Sequence, residues 1–291
     1  KTILFTKKNK CDELNLKTYN FGRERALMHV SKVIKFAKFT ASSHAKNCLM
    51  DLKELENGIN PEIHWYYQSK IQPLIAYAKK LLNKTDQLTI VDVGSGSGFF
   101  AISLERAFGD KIRKVYLVDI NYTPEEIEET RGKKIEKTLV IPDKIENGLV
   151  ILMDVLEHLE DDLLMLKNIK ANSVGNNNHY FITVPAFTSL WSGHDVYLGH
   201  YRRYKVDSLN KVLNEAKYSI ANTYYLYGSL FPMVWTARKL DNMKKNKEAT
   251  SNMKPFSPLV NKILLGITSI DMKLASVNKL CGVTCVSQGT I

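Results

Sequence analysis

A glycine-rich stretch behind an apolar run is the feature that most limits how this chain can fold. Thr89–Phe100 reads TIVDVGSGSGFF, in which Gly94, Gly96 and Gly98 occupy alternate positions. Glycines let backbone N–H groups come close to a ligand, and a helix that starts behind them offers its positive N-terminus. The stretch therefore predicts a strand, a nucleotide-binding turn and a helix.

The spacing of these glycines distinguishes between two classes of nucleotide. Dinucleotide-binding turns use G-x-G-x-x-G, whereas this turn reads G-x-G-x-G, with Ser95 after the first glycine. Asp92 stands two residues before Gly94, where its negative charge would repel a pyrophosphate and attract an ammonium group. S-adenosylmethionine has an ammonium group and no phosphate, so the residues favour it over a nicotinamide dinucleotide.

Length and charge indicate one large domain with a basic extension. The chain has 291 residues, of which 44% are hydrophobic, and a net charge of +11. Residues 1–60 contain 12 Lys/Arg and 6 Asp/Glu, which gives +6. We expect 1–60 to be a basic, partly helical extension, which packs on its own domain or lies on an anionic membrane or an acidic partner. Because the charge is concentrated there, a nucleic-acid partner is not expected.

Cysteines and hydropathy bear on where the protein acts. Its four cysteines are scattered without a C-x-x-C pair, and no signal peptide is visible, so a reducing, cytoplasmic setting is expected. The longest run without charges, 218–237, contains Gly228 and Pro232 and is interpreted as a strand followed by the start of a helix. Peripheral membrane contact remains a further hypothesis, because apolar segments near 230–235 and 259–270 are flanked by Lys and Arg.

From residue 61 onward, apolar strands alternate with amphipathic helices. This order predicts a doubly wound, mostly parallel α/β sheet of seven strands, with ligands at the carboxyl ends of the strands. The expected strands are 88–93, 114–120, 138–141, 149–153, 180–184, 219–226 and 282–288. The expected helices are 61–82, 99–108, 124–131, 161–171 and 205–216, with more helix after 226.

Several segments at expected strand ends carry a resemblance to a known family. Asp154–His158 reads DVLEH, residues 184–186 read VPA, 190–195 read LWSGHD, and 199–204 read GHYRRY; His64–Tyr67 reads HWYY. With the glycine turn and Asp119, they resemble a branch of the class I S-adenosylmethionine-dependent methyltransferases over about residues 60–291. The resemblance implies a Rossmann-like methyltransferase domain over 61–291 and S-adenosylmethionine as the cofactor.

The resemblance also implies a set of cofactor-binding residues. Asp119 closes the second strand, where an acid can accept hydrogen bonds from both ribose hydroxyls. The glycine turn would wrap the methionine part, and Asp154 would face the reaction centre. The implied cofactor-binding residues are Asp92, Gly94, Ser95, Gly96, Gly98, Asp119, Ile120 and Asp154.

The segment 191–204 is dense in titratable and aromatic side chains, which suits an acceptor pocket. His194 or His200 could remove a proton during methyl transfer, with Asp154 as the third candidate catalytic residue. Arg202 and Arg203 could bind an acidic acceptor. Trp191 and Tyr204 complete the expected substrate-binding set. The structural alternative is that a histidine is hydrogen-bonded in the fold and an arginine pairs with Asp195 or Asp207.

The DVLEH segment leaves a metal site open. We expect no metal, because Glu157 and His158 can simply begin a helix. The alternative, by similarity to ubiquinone-pathway and small-RNA 2′-O-methyltransferases, is that Asp154, Glu157 and His158 coordinate a divalent ion.

The expected activity is methyl transfer to a small-molecule, lipid-linked or glycan acceptor. The fourth strand ends without the Asn/Asp-Pro-Pro-Tyr/Phe of base amino methyltransferases, and no Pro-Cys follows it, which argues against cytosine C5 chemistry. The alternatives are an RNA or protein methyltransferase that docks through the basic N-terminal region, and a non-catalytic cofactor-binding partner subunit. The oligomeric state is left open.

Overall fold

A computed structural model describes residues 6–7, 14–15, 58–243, 253 and 255–291. The chain divides into two compact units, Lys1–Ser42 and Ser43–Ile291. In the first unit, Thr6–Lys7 and Leu14–Asn15 pair as a short antiparallel ladder. The helical part of the expected basic extension lies outside the described residues, and the expected boundary near residue 60 stays a prediction.

The second unit is built on a seven-stranded sheet. Its spatial order is β3-β2-β1-β4-β5-β7-β6, and β7 runs antiparallel to both of its neighbours while the other pairs are parallel. The strands are β1 Leu88–Val93, β2 Ile112–Val118, β3 Ile135–Thr138, β4 Gly148–Met153, β5 His179–Pro185, β6 Ser219–Leu226 and β7 Thr284–Thr290.

Eight α-helices accompany the strands in the described part of the chain. They are α1 Trp65–Leu82, α2 Phe99–Phe108, α3 Pro124–Thr130, α4 Asp162–Asn172, α5 Gly193–Leu198, α6 Val206–Glu215, α7 Phe231–Met243 and α8 Pro258–Leu274. Short 3-10 turns lie at Gly109–Lys111, Leu156–His158, Thr188–Leu190 and Ala275–Val277. None of the helices in the described ranges is long and apolar enough to cross a membrane.

Burial explains the arrangement of the strands. Every residue of β1 and β4 is buried, as expected for central parallel strands that are covered on both faces. The strand β3, with the sequence IEKT, is only half-buried and lies at one edge. Helices α1 and α2 contribute Leu74, Ala78 and Leu104 to a core with the apolar residues of β1, β2 and β4.

The predicted fold class, a doubly wound and mostly parallel seven-stranded sheet, is confirmed, but some element limits differ. The second strand begins and ends two residues earlier than predicted, and its residues Val115–Val118 pair with Ile135–Thr138. The third strand is therefore 135–138 and not the more apolar 138–141, of which Leu139 is exposed. The last strand is Thr284–Thr290, and α5 was not predicted.

The chain order reverses between β1 and β4, which are neighbours in the sheet. In open parallel sheets such a switch point opens a crevice at the carboxyl ends of the strands. The glycine turn and Asp154 lie at this edge, directly after β1 and β4.

Candidate functional site

The glycine turn has a backbone that only glycine suits at two positions. Gly94 and Gly98 have φ of +71° and +78°. A Cβ added to Gly94 would lie 2.7 Å from a methyl group of Val155, and one added to Gly98 would lie 2.7 Å from a methyl group of Leu117. The turn is therefore packed directly on the segments behind β4 and in β2, and it opens α2 with Gly98 as the N-cap.

Asp119 is joined to this turn. Its Oδ2 accepts a hydrogen bond from the Gly96 N–H at 2.9 Å, and its Oδ1 accepts bonds from the backbone and side chain of Asn121 at 2.9 and 2.8 Å. The acid at the end of β2 and the glycine turn behind β1 thus form one hydrogen-bonded unit. Ile120 is half-buried in the turn that follows Asp119.

Tyr122 closes the same unit, although no motif in the sequence points to it. Its hydroxyl donates to the Gly96 carbonyl at 2.8 Å and lies 2.8 Å from the Ser95 hydroxyl. Burial raises the pKa of Tyr122, and the charges of Asp92 and Asp119 raise it further. The carboxylates of Asp92 and Asp119 are both buried, and both lie close enough to the Tyr122 hydroxyl to influence it electrostatically.

Asp154 lies in a buried cluster of polar side chains at the end of β4. Its Oδ2 accepts hydrogen bonds from the Lys70 ammonium and from the Tyr66 hydroxyl, the latter at 3.0 Å. Its Oδ1 accepts from the Thr183 hydroxyl at 2.8 Å. Burial, the largest influence, would raise the pKa of Asp154, but Lys70, Thr183 and Tyr66 outweigh it and hold the pKa below its ordinary value.

Two partners of Asp154, Lys70 and Tyr66, come from α1, for which the sequence predicts only a helix with an aromatic start. The Lys70 side chain is 1% exposed and also donates to the Tyr66 hydroxyl at 2.8 Å. A lysine four residues behind a tyrosine on one helical face was the available signal, since that spacing brings both side chains together. The charge pair makes Asp154 an ionised carboxylate inside the protein.

Three strands end in strained residues at this edge of the sheet. Asp154, Phe187 and Tyr227 follow β4, β5 and β6 and have φ of +59°, +55° and +61°. Non-glycine residues in the left-handed backbone region cost about 1–3 kcal/mol each, and such residues concentrate at functional sites. Tyr227 stacks on the Tyr66 ring at 5.7 Å, and Phe187 stacks on Tyr225 at 4.8 Å. The edge is therefore lined by aromatic rings held in strained positions.

Asp195 organises the segment 191–204. It is fully buried and accepts from Arg203 Nε at 2.7 Å, from the Ser192 N–H at 2.9 Å and from His200 Nδ1 at 2.9 Å. Burial alone would raise the pKa of Asp195, but the bonds from His200 and Arg203 hold it well below its usual range. Arg203 also donates to the Ala186 carbonyl at 3.0 Å, so its guanidinium serves the fold.

The other predicted acceptor residues occupy different environments. Tyr204 is buried and donates to Asp162 at 2.6 Å, and Arg202, which is partly exposed, pairs with the same carboxylate at 3.0 Å. Trp191 is half-buried at the start of the segment. Burial, followed by the charge of Arg238, lowers the pKa of His194 to about 3, so this imidazole is neutral at physiological pH.

Glu157, His158 and His200 form a second cluster near Asp154. Ligand atoms of the three side chains all lie within 4.8 Å of one another. Burial and then the charge of Asp154 raise the pKa of Glu157 well above its usual range. The structure thus brings the predicted pair Glu157 and His158 together with His200, while the carboxylate of Asp154 is engaged by Lys70, Tyr66 and Thr183.

Comparison with known proteins yields structural likenesses only. No protein-family model matches the chain. No curated protein matches it either. The plantazolicin methyltransferase BpumL in complex with SAH is similar at 12% identity and a TM-score of 0.48, over 92% of this chain and 98% of that one.

Two further solved structures are similar over large parts of their length. Coclaurine N-methyltransferase bound to N-methylheliamine and SAH is 13% identical with a TM-score of 0.44, over 94% of this chain and 90% of that one. A SAM-dependent methyltransferase from Aquifex aeolicus is 19% identical with a TM-score of 0.40, over 62% of this chain and 93% of that one. These likenesses are distant, and the function proposed for this chain rests on its own residues.

Proposed function

We propose that the chain is an S-adenosylmethionine-dependent methyltransferase acting on a small-molecule, lipid-linked or glycan acceptor. The observation that carries the proposal is the hydrogen bond from the Gly96 N–H to Asp119 at 2.9 Å. It joins the glycine turn behind β1 to the strand-end acid of β2, beside the switch point of the sheet. A nucleoside bound there would meet the turn and a hydroxyl-binding carboxylate together.

Charge favours the methyl donor over a dinucleotide. Asp92 and Asp119 are both buried beside the turn. A pyrophosphate would bring negative charge next to two carboxylates, whereas S-adenosylmethionine brings an ammonium and a sulfonium group. We assign Asp92 to the methionine end and Asp119 to the ribose hydroxyls, with Gly94, Ser95, Gly96 and Gly98 forming the turn around the cofactor and Ile120 lying beside the adenosine.

Methyl transfer asks the protein mainly to align the acceptor and exclude water, because the sulfonium is already a good methyl donor. Asp154 follows β4 and is kept ionised by Lys70 inside the protein. We assign it to face the reacting centre, where a carboxylate stabilises positive charge on the donor. His200 is oriented by Asp195 through Nδ1, which leaves Nε2 for a proton or a cation.

Calorimetric titration of S-adenosylmethionine and, separately, NADH into the purified full chain tests the cofactor. We expect micromolar binding of the methyl donor, no binding of NADH, and at least tenfold weaker binding by Asp119→Asn. Asp110→Asn, which alters an exposed acid in the turn before β2, is the matched control and should bind as the wild type does. Tighter binding of NADH, or equal binding by Asp119→Asn, would overturn the assignment.

An exposed apolar surface supports a lipid-linked acceptor. On α8 the side chains of Leu259, Ile263 and Ile267 recur at four-residue spacing and are exposed, the first at 69%. On α7 the exposed apolar residues include Met233, Trp235, Leu240 and Met243. Lys239, Lys262 and Lys273 are exposed on the same two helices. Apolar residues between lysines suit the interface of an anionic bilayer.

Helix α7 also contacts the segment assigned to the acceptor. The Arg238 guanidinium donates to the Ser192 hydroxyl at 2.6 Å, and the Asn242 amide donates to the Trp191 carbonyl at 3.0 Å. A membrane bound by α7 would therefore lie next to the residues proposed to bind the acceptor. We propose peripheral attachment to an anionic bilayer as the route by which that acceptor reaches the site.

Sedimentation with phosphatidylcholine vesicles, with and without phosphatidylglycerol, tests the attachment. We expect the wild type to sediment with anionic vesicles at low salt and the double variant Ile263→Glu/Ile267→Glu to stay in the supernatant. Leu139→Glu, which changes an exposed leucine behind β3, is the control and should sediment. If the wild type stays in the supernatant, or self-associates through this face without lipid, the attachment is refuted.

Two other functions have distinct outcomes. An RNA or protein methyltransferase would dock through the basic region 1–60, and for RNA its acceptor binding would weaken steeply with salt. A non-catalytic partner subunit would keep its cellular role in Asp92→Ala. The region 1–60, on which RNA or protein docking depends, lies mostly outside the described ranges. The methyl-transfer proposal is built instead on Asp92, Asp119 and Asp154.

A further inference from the structure

We propose that Glu157, His158 and His200 bind a divalent first-row transition-metal ion at the carboxyl edge of the sheet. Glu157 and His158 are adjacent in the 3-10 turn behind β4, and His200 follows α5. The Tyr201 N–H donates to the Glu157 carbonyl at 2.7 Å, which holds the two segments together. One ligand atom from each side chain lies within 4.8 Å of the others.

Glu157 is the first independent indication of a ligand. Its side chain is 0% exposed, and neither carboxylate oxygen accepts a hydrogen bond from any group in the described part of the chain. Buried polar groups are almost always hydrogen-bonded, and a buried carboxylate needs a cation or a donor. A bound cation would supply the missing partner for both oxygens.

His200 is the second indication. Its Nδ1 lies 2.9 Å from Asp195 Oδ1, and Asp195 is ionised because Arg203 and Ser192 also donate to it. The Nδ1 therefore donates to this carboxylate, and Nε2 is the ring nitrogen that remains for an ion. Within the described ranges this Nε2 is buried and makes no hydrogen bond. A histidine oriented by a carboxylate, with its second nitrogen available, is the usual arrangement of a metal ligand.

The two histidine rings are placed to share one ion. The ring centroids of His158 and His200 are 4.6 Å apart and their planes meet at 81°. Ligand atoms that lie about 2.1 Å from a common ion are roughly 3–4 Å from one another. The three ligand atoms here are within 4.8 Å of one another, so shifts of the side-chain ends by about 1 Å would complete the site. Two imidazoles and one carboxylate select Zn²⁺, Mn²⁺ or a neighbouring transition ion over Mg²⁺ or Ca²⁺.

The ion would have a role next to Asp154, which is three residues before Glu157 in the chain. A divalent cation can polarise an acceptor hydroxyl and lower its pKa, so that an acceptor with a hydroxyl group would be favoured. This catalytic use rests on the proposed methyl transfer, but metal binding itself does not. His200 would then act as a ligand and not as the proton acceptor.

The test measures metal binding by the full chain after chelator treatment and dialysis. We expect Co²⁺ to bind with a stoichiometry of one, to give visible absorption bands, and to be displaced by Zn²⁺. Glu157→Gln and His200→Gln should bind at least tenfold more weakly. The positioning variant Asp195→Asn should bind about 10–100-fold more weakly, because it releases the His200 ring. His179→Gln, at the opposite end of β5, should bind as the wild type does.

Thermal unfolding separates loss of the site from loss of the fold. In chelator, Glu157→Gln should melt at or above the wild-type temperature, because the buried carboxylate is gone. Added Zn²⁺ should raise the melting temperature of the wild type and leave that of Glu157→Gln unchanged. Absence of Co²⁺ binding by the wild type, or equal binding by Glu157→Gln, would refute the site. Titration of S-adenosylmethionine into the same metal-free sample reports separately on the proposed function.

Discussion

The buried pair of Lys70 and Asp154 allows a prediction with a worked magnitude. Lys70→Met removes the ammonium group but keeps most of the side-chain volume, so it leaves Asp154 buried without its cation. Removing one partner of a buried ion pair costs about 3–5 kcal/mol of unfolding free energy. Two hydrogen bonds to Asp154 remain, from Thr183 at 2.8 Å and Tyr66 at 3.0 Å, so we expect about 3 kcal/mol.

The pair should show coupling in a double-mutant cycle. Asp154→Asn keeps one acceptor oxygen, which can serve the Thr183 or the Tyr66 hydroxyl, and leaves the Lys70 ammonium buried without its counterion. The variant Lys70→Met/Asp154→Asn removes both charges, so it should be much more stable than the sum of the single losses implies. We expect a coupling free energy of roughly 2–3 kcal/mol.

The cost of Lys70→Met should also depend on pH. In the wild type the pKa of Asp154 is lowered, so the pair contributes stability that is present above the unfolded value of about 3.9 and lost as the pH falls through the folded pKa. Without Lys70, burial raises the pKa of Asp154 above that value. The Lys70→Met variant is therefore destabilised at high pH, where Asp154 is ionised, and regains stability as the pH falls and Asp154 becomes protonated.

Urea unfolding at pH 7.5 and pH 5 measures both effects. The loss caused by Lys70→Met should be larger at pH 7.5 than at pH 5. Lys80→Met, at an exposed position of the same helix, is the control and should change the unfolding free energy by less than about 0.5 kcal/mol at either pH. Additive single losses, or an equal loss at the two pH values, would refute the reasoning.

Three further predictions concern local packing. Gly98→Ala should lower the unfolding free energy by about 2 kcal/mol or more, because Gly98 has a positive φ and an added Cβ would meet a methyl group of Leu117 in β2. Gly266→Ala, which has open space in α8, should raise the unfolding free energy by about 0.5–1 kcal/mol. Urea unfolding measures both changes. Tyr122→Phe should bind S-adenosylmethionine several-fold more weakly by calorimetry, since it loses the bonds to the glycine turn; an unchanged affinity would contradict this. Burial raises the pKa of Cys285 to about 12, so its thiol should resist alkylation at pH 8 until urea is added, while half-buried Cys281 reacts earlier, as peptide mass spectrometry would report.

Local patterns in the sequence were enough to predict the sheet and the glycine turn. Four of the seven strands, β1, β2, β4 and β5, carry apolar runs, and the alternate glycines of Gly94–Gly98 mark the turn directly behind the first of them. Strand β3 was misplaced because its IEKT sequence is half-polar, and pairing with β2 decides its position. Such an edge strand is defined by its neighbour and not by its own composition.

The polar clusters could not be predicted in the same way. Lys70 and Asp154 are 84 positions apart, and nothing in either local segment indicates that they meet. Asp195 was considered as a partner for one arginine, but the structure shows it holding His200 as well as Arg203. These arrangements depend on which side chains meet at the carboxyl edge of the sheet, and only the tertiary fold determines which side chains meet there.

The position of β7 has a consequence for how the domain forms during synthesis. This strand lies between β5 and β6 in the sheet, although residues 227–283 separate it from β6 in the chain. Among the described strands β6 has no neighbour except β7, so it has none of them to pair with until β7 emerges from the ribosome. Both β5 and β6 expose an unpaired edge during that interval, and such edges are sites of misassociation. Chaperone protection should therefore be needed longest on this side of the sheet, while β1, β2 and β4 can already be assembled.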